Sequence, residues 1–208
     1  MRFVLAVEGG TEKRVLQAFL ERWLNAELPQ RVGVQIVSLN GYGNFRRKIE
    51  KTARNHLHGP DNNEIIAVIG LMDLYGPQFY PDHLAQPEER RQWGVTHFQQ
   101  KVDQDRFRMF FAVHELEAWL LSQPDIFPRE VRSAIQSISS QPENVNFDAP
   151  PAKRLHDIYR SRLKKDYKKV TNGKRLFSKL DPMAAADKCP HLKAMLEEML
   201  DLARQTHR

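Results

Sequence analysis

Five consecutive apolar residues, Phe3-Val4-Leu5-Ala6-Val7, run straight into Glu8-Gly9-Gly10-Thr11-Glu12, and a helical pattern starts at once afterwards. An apolar stretch of that length without polar alternation reads as a strand buried on both faces, the situation of a strand inside a parallel sheet. Such sheets carry their chemistry at the carboxyl ends of the strands. Here that end bears a carboxylate, two glycines that let backbone approach a ligand, and a second carboxylate in the opening turn of the helix.

Three more runs have strand character: Val32–Leu39, Ile65–Met72 and Arg108–Val113. The second strand is mixed in polarity and is expected nearer a sheet edge. Helical spacing separates the runs. Val15, Leu16, Phe19, Leu20, Trp23 and Leu24 form one apolar stripe over Thr11–Leu28, with Thr11 as its cap and Pro29 after its end. Phe45–His58 reads as a basic helix entered through Gly41-Tyr42-Gly43-Asn44, and Glu88–Gln99 as a helix inside a long proline-containing connection. Alternation of strand and helix predicts an α/β fold with a mainly parallel sheet flanked by helices. Beyond a short helix from His114 to Ser122, the polar stretch Ser137–Pro151 reads as a linker. Ala152–Lys164, Gly173–Leu180 and Pro190–Thr206 read as helices. The expected division is a sheet domain over residues 1–122 and a basic helical extension over 123–208.

Three of the strands end in acids: the first at Glu8, the third at Asp73 and the fourth at His114-Glu115-Leu116-Glu117. Neighbouring parallel strands lie about 4.8 Å apart, so tips of adjacent strands can share an ion. Two carboxylates about 4 Å apart repel by about 4 kcal/mol at an effective dielectric of 20. A cation among them is therefore expected, and oxygen-only ligands favour Mg²⁺ or Mn²⁺. Each residue also has a purely structural use. A strand-ending Asp can form a turn, Gly9-Gly10 can be a tight turn, Glu12 suits a first helical turn, and His114 can be a half-buried histidine. Glu115 and Glu117 share a face only if the chain there is still extended.

Charge is unevenly placed. Between Lys153 and Lys179 there are 11 basic side chains against 2 acidic ones, interleaved with Tyr159, Tyr167 and Phe177. That density suits phosphate neutralisation, and equally a solvated helix face. Cys189 is the only cysteine, which excludes an intramolecular disulfide and a cysteine-rich zinc site. It is expected buried at the start of the last helix, with Trp23 and Trp119 as core. No apolar run reaches the roughly 20 residues of a membrane helix, and the first residues lack a signal-peptide pattern. A cytoplasmic protein is expected.

Taken together, Val7-Glu8-Gly9-Gly10-Thr11-Glu12, Met72-Asp73-Leu74-Tyr75-Gly76, the run from Val113 to Leu121 and Lys188-Cys189-Pro190-His191-Leu192 are similar to domain-of-unknown-function family 4276. That family is regarded as TOPRIM-like, the fold of topoisomerases, primases and overcoming-lysogenization-defect nucleases. Its bacterial members often lie beside genes for large ATPases in suspected phage-defence settings. The resemblance implies that Glu8 is the first-strand glutamate, a metal ligand or general acid/base, and that Asp73 is the first Asp of an Asp-x-Asp pair. Glu12 corresponds to the acid used for a second ion. Tyr75 occupies the second Asp position, so Glu115 or Glu117 is the expected substitute ligand.

Two functions of different kinds follow. The first is a Mg²⁺- or Mn²⁺-dependent phosphodiester hydrolase acting on DNA or RNA in phage defence or repair, with Glu8 and Asp73 catalytic and Glu8, Glu12, Asp73, Glu115 and Glu117 around metal. Gly9, Gly10, Tyr75 and His114 complete its rim, and Lys153, Arg154, Lys168, Lys169, Lys174 and Arg175 contact phosphate. The second is a non-catalytic nucleic-acid-binding subunit docked on an AAA- or ABC-type ATPase. A nucleotide-binding enzyme ranks last, because no Walker-type lysine follows the glycines.

Overall fold

The computed structural model describes residues 1–9, 13–144 and 149–206. Four strands form one sheet: β1 (Arg2–Val7), β2 (Gly33–Ser38), β3 (Ile65–Asp73) and β4 (Phe107–Ala112), in the order β2-β1-β3-β4, every neighbouring pair parallel. The expected mainly parallel α/β architecture is therefore present, and mixed β2 lies at an edge as its polarity suggested. β1 and β3 are central and buried on both faces, which explains their unbroken apolar composition.

The pleat of β1 divides the interior into two cores. Phe3, Leu5 and Val7 join one core with α1 (Lys13–Glu27), whereas Val4 and Ala6 join the other. That second core is completed by Phe45, Ile49 and Ala53 of α2 (Tyr42–Leu57) and Phe98 and Val102 of α3 (Pro87–Val102). Helices thus cover both faces of the sheet.

After β4 come α4 (Glu117–Leu121), α5 (Arg129–Gln136), α6 (Pro151–Leu163), a π-helical turn at Lys169–Gly173, α7 (Lys174–Phe177), α8 (Pro182–Ala186) and α9 (Pro190–Thr206). They pack on the α1 side of the sheet. Trp119 of α4 stacks on Phe19 of α1 at 5.9 Å, and Phe177 of α7 meets Phe19 edge-on at 6.2 Å. Aromatic pairs of this kind contribute about 0.5–1.5 kcal/mol each beyond their area. Leu192, Met195, Leu196 and Met199 of α9 are buried in the same core, as the apolar stripe predicted, and Cys189 is buried before them. No helix among the described residues is long and apolar enough to cross a membrane.

Three local readings change. Helix α2 starts at Tyr42 and not Phe45, because Asn40 (φ 59°) and Gly41 (φ 96°) turn the chain first. Strand β4 is the other edge despite its apolar sequence, and its half-buried Arg108 pairs with Glu198 of α9 at 2.6 Å. The polar stretch read as a linker is partly interior. Ser139 and Glu143 are buried, and the Glu143 carboxylate accepts the backbone N–H groups of His191 (3.0 Å) and Leu192 (3.3 Å) at the start of α9. A polar residue there satisfies orphan helix donors from inside.

Candidate functional site

The sheet register sets the site. Val7, the last residue of β1, stands opposite Leu71 of β3, and Asp73 stands opposite Ala112 of β4. Glu8 and Asp73 therefore leave adjacent central strands at the same edge, both half-buried. The tips are tied together by backbone: Gly41 N–H donates to the Glu8 carbonyl at 2.8 Å, Leu74 N–H to Ala112 O at 2.9 Å, and Tyr75 N–H to His114 O at 3.0 Å. His114 is buried with φ 66°, a left-handed conformation uncommon for a residue with a side chain and concentrated at functional sites. Burial also holds its imidazole pKa below the ordinary histidine value.

The electrostatics show which acids share one neighbourhood. Burial raises the Tyr80 hydroxyl pKa, and the Glu8 charge raises it further; Arg90 opposes, and Asp73 adds to the rise. Glu8 and Asp73 thus act on one hydroxyl. The Arg90 guanidinium lies over the Tyr80 ring at 5.7 Å, and its Nε donates to Leu84 O at 2.7 Å.

The fourth strand tip has a different arrangement. Lys169 Nζ lies 2.9 Å from Glu115 Oε1 and 3.2 Å from Glu117 Oε2. Glu115 Oε2 also accepts the Ala152 N–H at 2.8 Å, in the first turn of α6. Burial works to lower the Lys169 pKa, but the Glu117 and Glu115 carboxylates outweigh it, Asp73 adds to them, and the ammonium is held above the usual lysine range. Burial pushes the Glu117 carboxyl up, Lys169 counters, and Glu115 adds to the rise. Lys169 thus brings a positive charge to both Glu115 and Glu117. The same observation changes the picture of Lys169, whose ammonium turns into this ion pair and not onto an open basic face.

Glu115 and Glu117 reach one ammonium because Glu115 lies before α4 and Glu117 opens it, so helical geometry does not separate them. Tyr75 is exposed at the same edge, and Gly9 follows Glu8 half-buried. Glu12, Gly10 and the Thr11 cap lie outside the described residues. Among the described residues, no three His, Cys, Asp or Glu side chains converge as a group able to hold a metal ion. Lys174 lines a small pocket with Glu117 and Lys169, whereas Lys168 and Arg175 line a separate cavity.

Further residues also border the edge. A cavity of about 650 Å³ between the β3 and β4 tips is lined by Leu74, Arg90, His114, Glu143 and His191. Only His114 among these was marked by its position after a strand. Glu143 sat in a polar stretch, and nothing local distinguishes such a residue from a solvated one.

The fold resembles two solved structures. One is the C-terminal region of the Burkholderia pseudomallei OLD protein, with TM-score 0.46 and 19% identity over 96% of this chain and 97% of that one. The other is the C-terminal region of the Xanthomonas campestris pv. campestris OLD protein, with TM-score 0.46 and 18% identity over 99% and 98% of the two chains. No curated protein sequence matches the chain. The model of the domain of unknown function DUF4276 matches residues 7–200, nearly the whole length, and the chain belongs to that family.

Proposed function

We propose that this protein is a divalent-metal-dependent phosphodiester hydrolase acting on nucleic acid, with Glu8 and Asp73 at its centre. One observation carries the reading: two carboxylates leave adjacent central strands at the same edge of the sheet. Mg²⁺ is commonly held by one or two carboxylates, retaining water and taking further oxygens from substrate phosphate. A two-carboxylate site of oxygen donors fits that habit, and Mn²⁺ accepts the same donors. Glu12 is the further candidate ligand. Glu115 and Glu117 could join only if Lys169 moved aside, since its ammonium now lies against both.

Within this reading Glu8 and Asp73 hold the ion, which when bound supplies Lewis-acid polarisation of a phosphoryl oxygen and an acidified water. A Glu8 carboxylate oxygen would take the proton of the attacking water as the water oxygen bonds to phosphorus, and the P–O ester bond would break with the leaving oxygen taking a proton from solvent water. Lys169 brings a fixed positive charge to the same edge, within the field of Asp73. Lys153, Arg154 and Lys174 would contact flanking phosphates. A partner ATPase, which the family resemblance implies, would supply the work of opening or delivering the substrate.

The test is cleavage of plasmid DNA and of RNA with Mg²⁺ or Mn²⁺, repeated with EDTA and with Glu8→Gln and Asp73→Asn. Activity should vanish in all three controls. Loss in Glu8→Gln with full activity in Asp73→Asn would refute the assignment of roles. A second reading, nucleic-acid binding without cleavage, is favoured by Tyr75 at the second Asp position and by the Lys169 ion pair. It expects salt-sensitive binding that survives both substitutions and no metal-dependent cleavage.

A further inference from the structure

A second concave site lies in the carboxy-terminal helices, and no group discussed above as metal-holding or catalytic belongs to it. It is a cavity of about 740 Å³ walled by the end of α6, the turn after it, and the π-helical turn. Its volume falls in the roughly 300–1,000 Å³ range of small-ligand sites. Five cationic side chains line it: Arg160, Lys164, Lys165, Lys168 and Arg175. Glu130 and Asp166 are the acids in its wall, and Asp166 Oδ1 is already shared by Arg160 Nε at 3.3 Å and His156 Nε2 at 3.7 Å. Among the described residues no carboxylate lies within ion-pairing distance of Lys164, Lys165, Lys168 or Arg175.

Tyr159 lines the same cavity and is only 2% exposed, yet its hydroxyl has no hydrogen-bond partner of good geometry among the described residues. That oxygen is itself buried behind the wall, and the Arg175 side chain is the hydrogen-bonding group beside it. Burial raises the Tyr159 pKa while Arg175 opposes, placing the guanidinium beside it. Asn172 braces the wall: its Oδ1 accepts Lys168 N–H at 2.8 Å, and its own N–H donates to Lys168 O at 2.8 Å. Ammonium and guanidinium donors lining one concavity match oxygens that carry several negative charges close together.

The geometry points to a binding site for a cluster of phosphates, two or three phosphoryl groups, carried by a nucleoside polyphosphate or by a 5′-phosphorylated nucleic-acid end. It stands independently of the hydrolase reading. Lys168 lines this cavity while the next residue, Lys169, holds Glu115 and Glu117, so the occupant sits one residue from that ion pair.

The probe is inorganic tripolyphosphate, titrated calorimetrically into the full chain at physiological salt with EDTA, so that metal chemistry plays no part. Saturable binding to one site is expected. Arg175→Gln should weaken it by roughly tenfold, as loss of a charge-assisted contact implies. Lys101→Gln, the same charge change at an exposed position on α3, should leave affinity unchanged. Arg175 is itself exposed, so its replacement spares the core. Displacement of tripolyphosphate by ATP identifies a free nucleotide. Displacement by a 5′-phosphorylated oligonucleotide, but not by its unphosphorylated twin, identifies a strand end. The assignment is overturned by unsaturable binding, by equal weakening in Lys101→Gln and Arg175→Gln, or by failure of both competitors.

Discussion

Replacing Lys169 by methionine keeps most of the side chain's length and removes its charge, leaving Glu117 buried at 8% side-chain exposure with Glu115 beside it. At separations of 2.9 and 3.2 Å, each attraction amounts to about 5 kcal/mol at an effective dielectric of 20. Repulsion between the two carboxylates and the cost of drying the ammonium oppose it. Lys169 itself is 47% exposed, so solvent screens the pair further. The net effect falls between the roughly 0.2–1 kcal/mol of an exposed pair and the 3–5 kcal/mol of a broken buried one, about 2 kcal/mol. Urea unfolding of wild type, Lys169→Met, Glu117→Gln and the double variant should give a coupling energy near that value, equivalent to about 4–8 °C in Tm for a chain of this size. The penalty also has a pH sign. The Glu117 carboxyl is already raised above its unfolded value, and losing Lys169 raises it more. The stability of Lys169→Met is therefore complete at low pH and is lost as pH climbs through the folded value. Additive single effects, with coupling below about 0.3 kcal/mol, would show that the lysine is not the counter-charge.

Glu143, pushed up to about 6 by burial against the opposing His191 and Leu192 N–H groups, contributes stability that is complete below its ordinary 4.5 and is lost as pH rises through 6. Between pH 4 and 7 wild type should lose about 1–2 kcal/mol relative to Glu143→Gln, and parallel melting curves would contradict this. Gly94 sits inside α3, where an added Cβ would lie 2.6 and 2.8 Å from the Phe111 ring, so Gly94→Ala should destabilise by about 1–2 kcal/mol despite better helix propensity. Gly43, with nothing within 4 Å of its Cβ position, is the matched control, and Gly43→Ala should stabilise by up to about 1 kcal/mol on thermal melting. Asp181 accepts Met183 N–H at 2.8 Å and Ala184 N–H at 3.3 Å to cap α8, and Asp181→Ala should cost about 1 kcal/mol in urea unfolding.

What the sequence carried legibly was periodicity. The unbroken run into Val7 and the stripe of α9 each report a face that must be buried whatever its partners are, so their elements appear within a residue or two of the expected bounds. Parallel strands all point the same way, so residues that end them gather at one sheet edge. Residue order alone therefore sufficed to bring Glu8 and Asp73 together there. Strand β4 shows the limit. Its apolar composition suited a central strand, but α9 covers its edge and pairs Glu198 with Arg108, a contact 90 residues away in the chain. Glu143 shows the same limit for polar residues, since its partners at the start of α9 lie 48 and 49 residues on.

The site was legible by half for a related reason. A strand tip announces its own residue but not the group that will face it, and that group decides whether an acid is a metal ligand or one side of an ion pair. Lys169 lay in a run of basic residues where charge alone marked all of them alike. Folding separates them: the π-helical turn aims Lys169 at Glu115 and Glu117, while Lys168 and Arg175 line the opposite cavity. π-Helical turns are rare and gather at functional positions, because one extra residue per turn re-aims a side chain without breaking the chain's direction. Lys168 and Lys169, neighbours in sequence, therefore line two different concavities. The strand-tip site and the cavity are adjacent along the backbone, so a variant in either should be assayed for effects on the other.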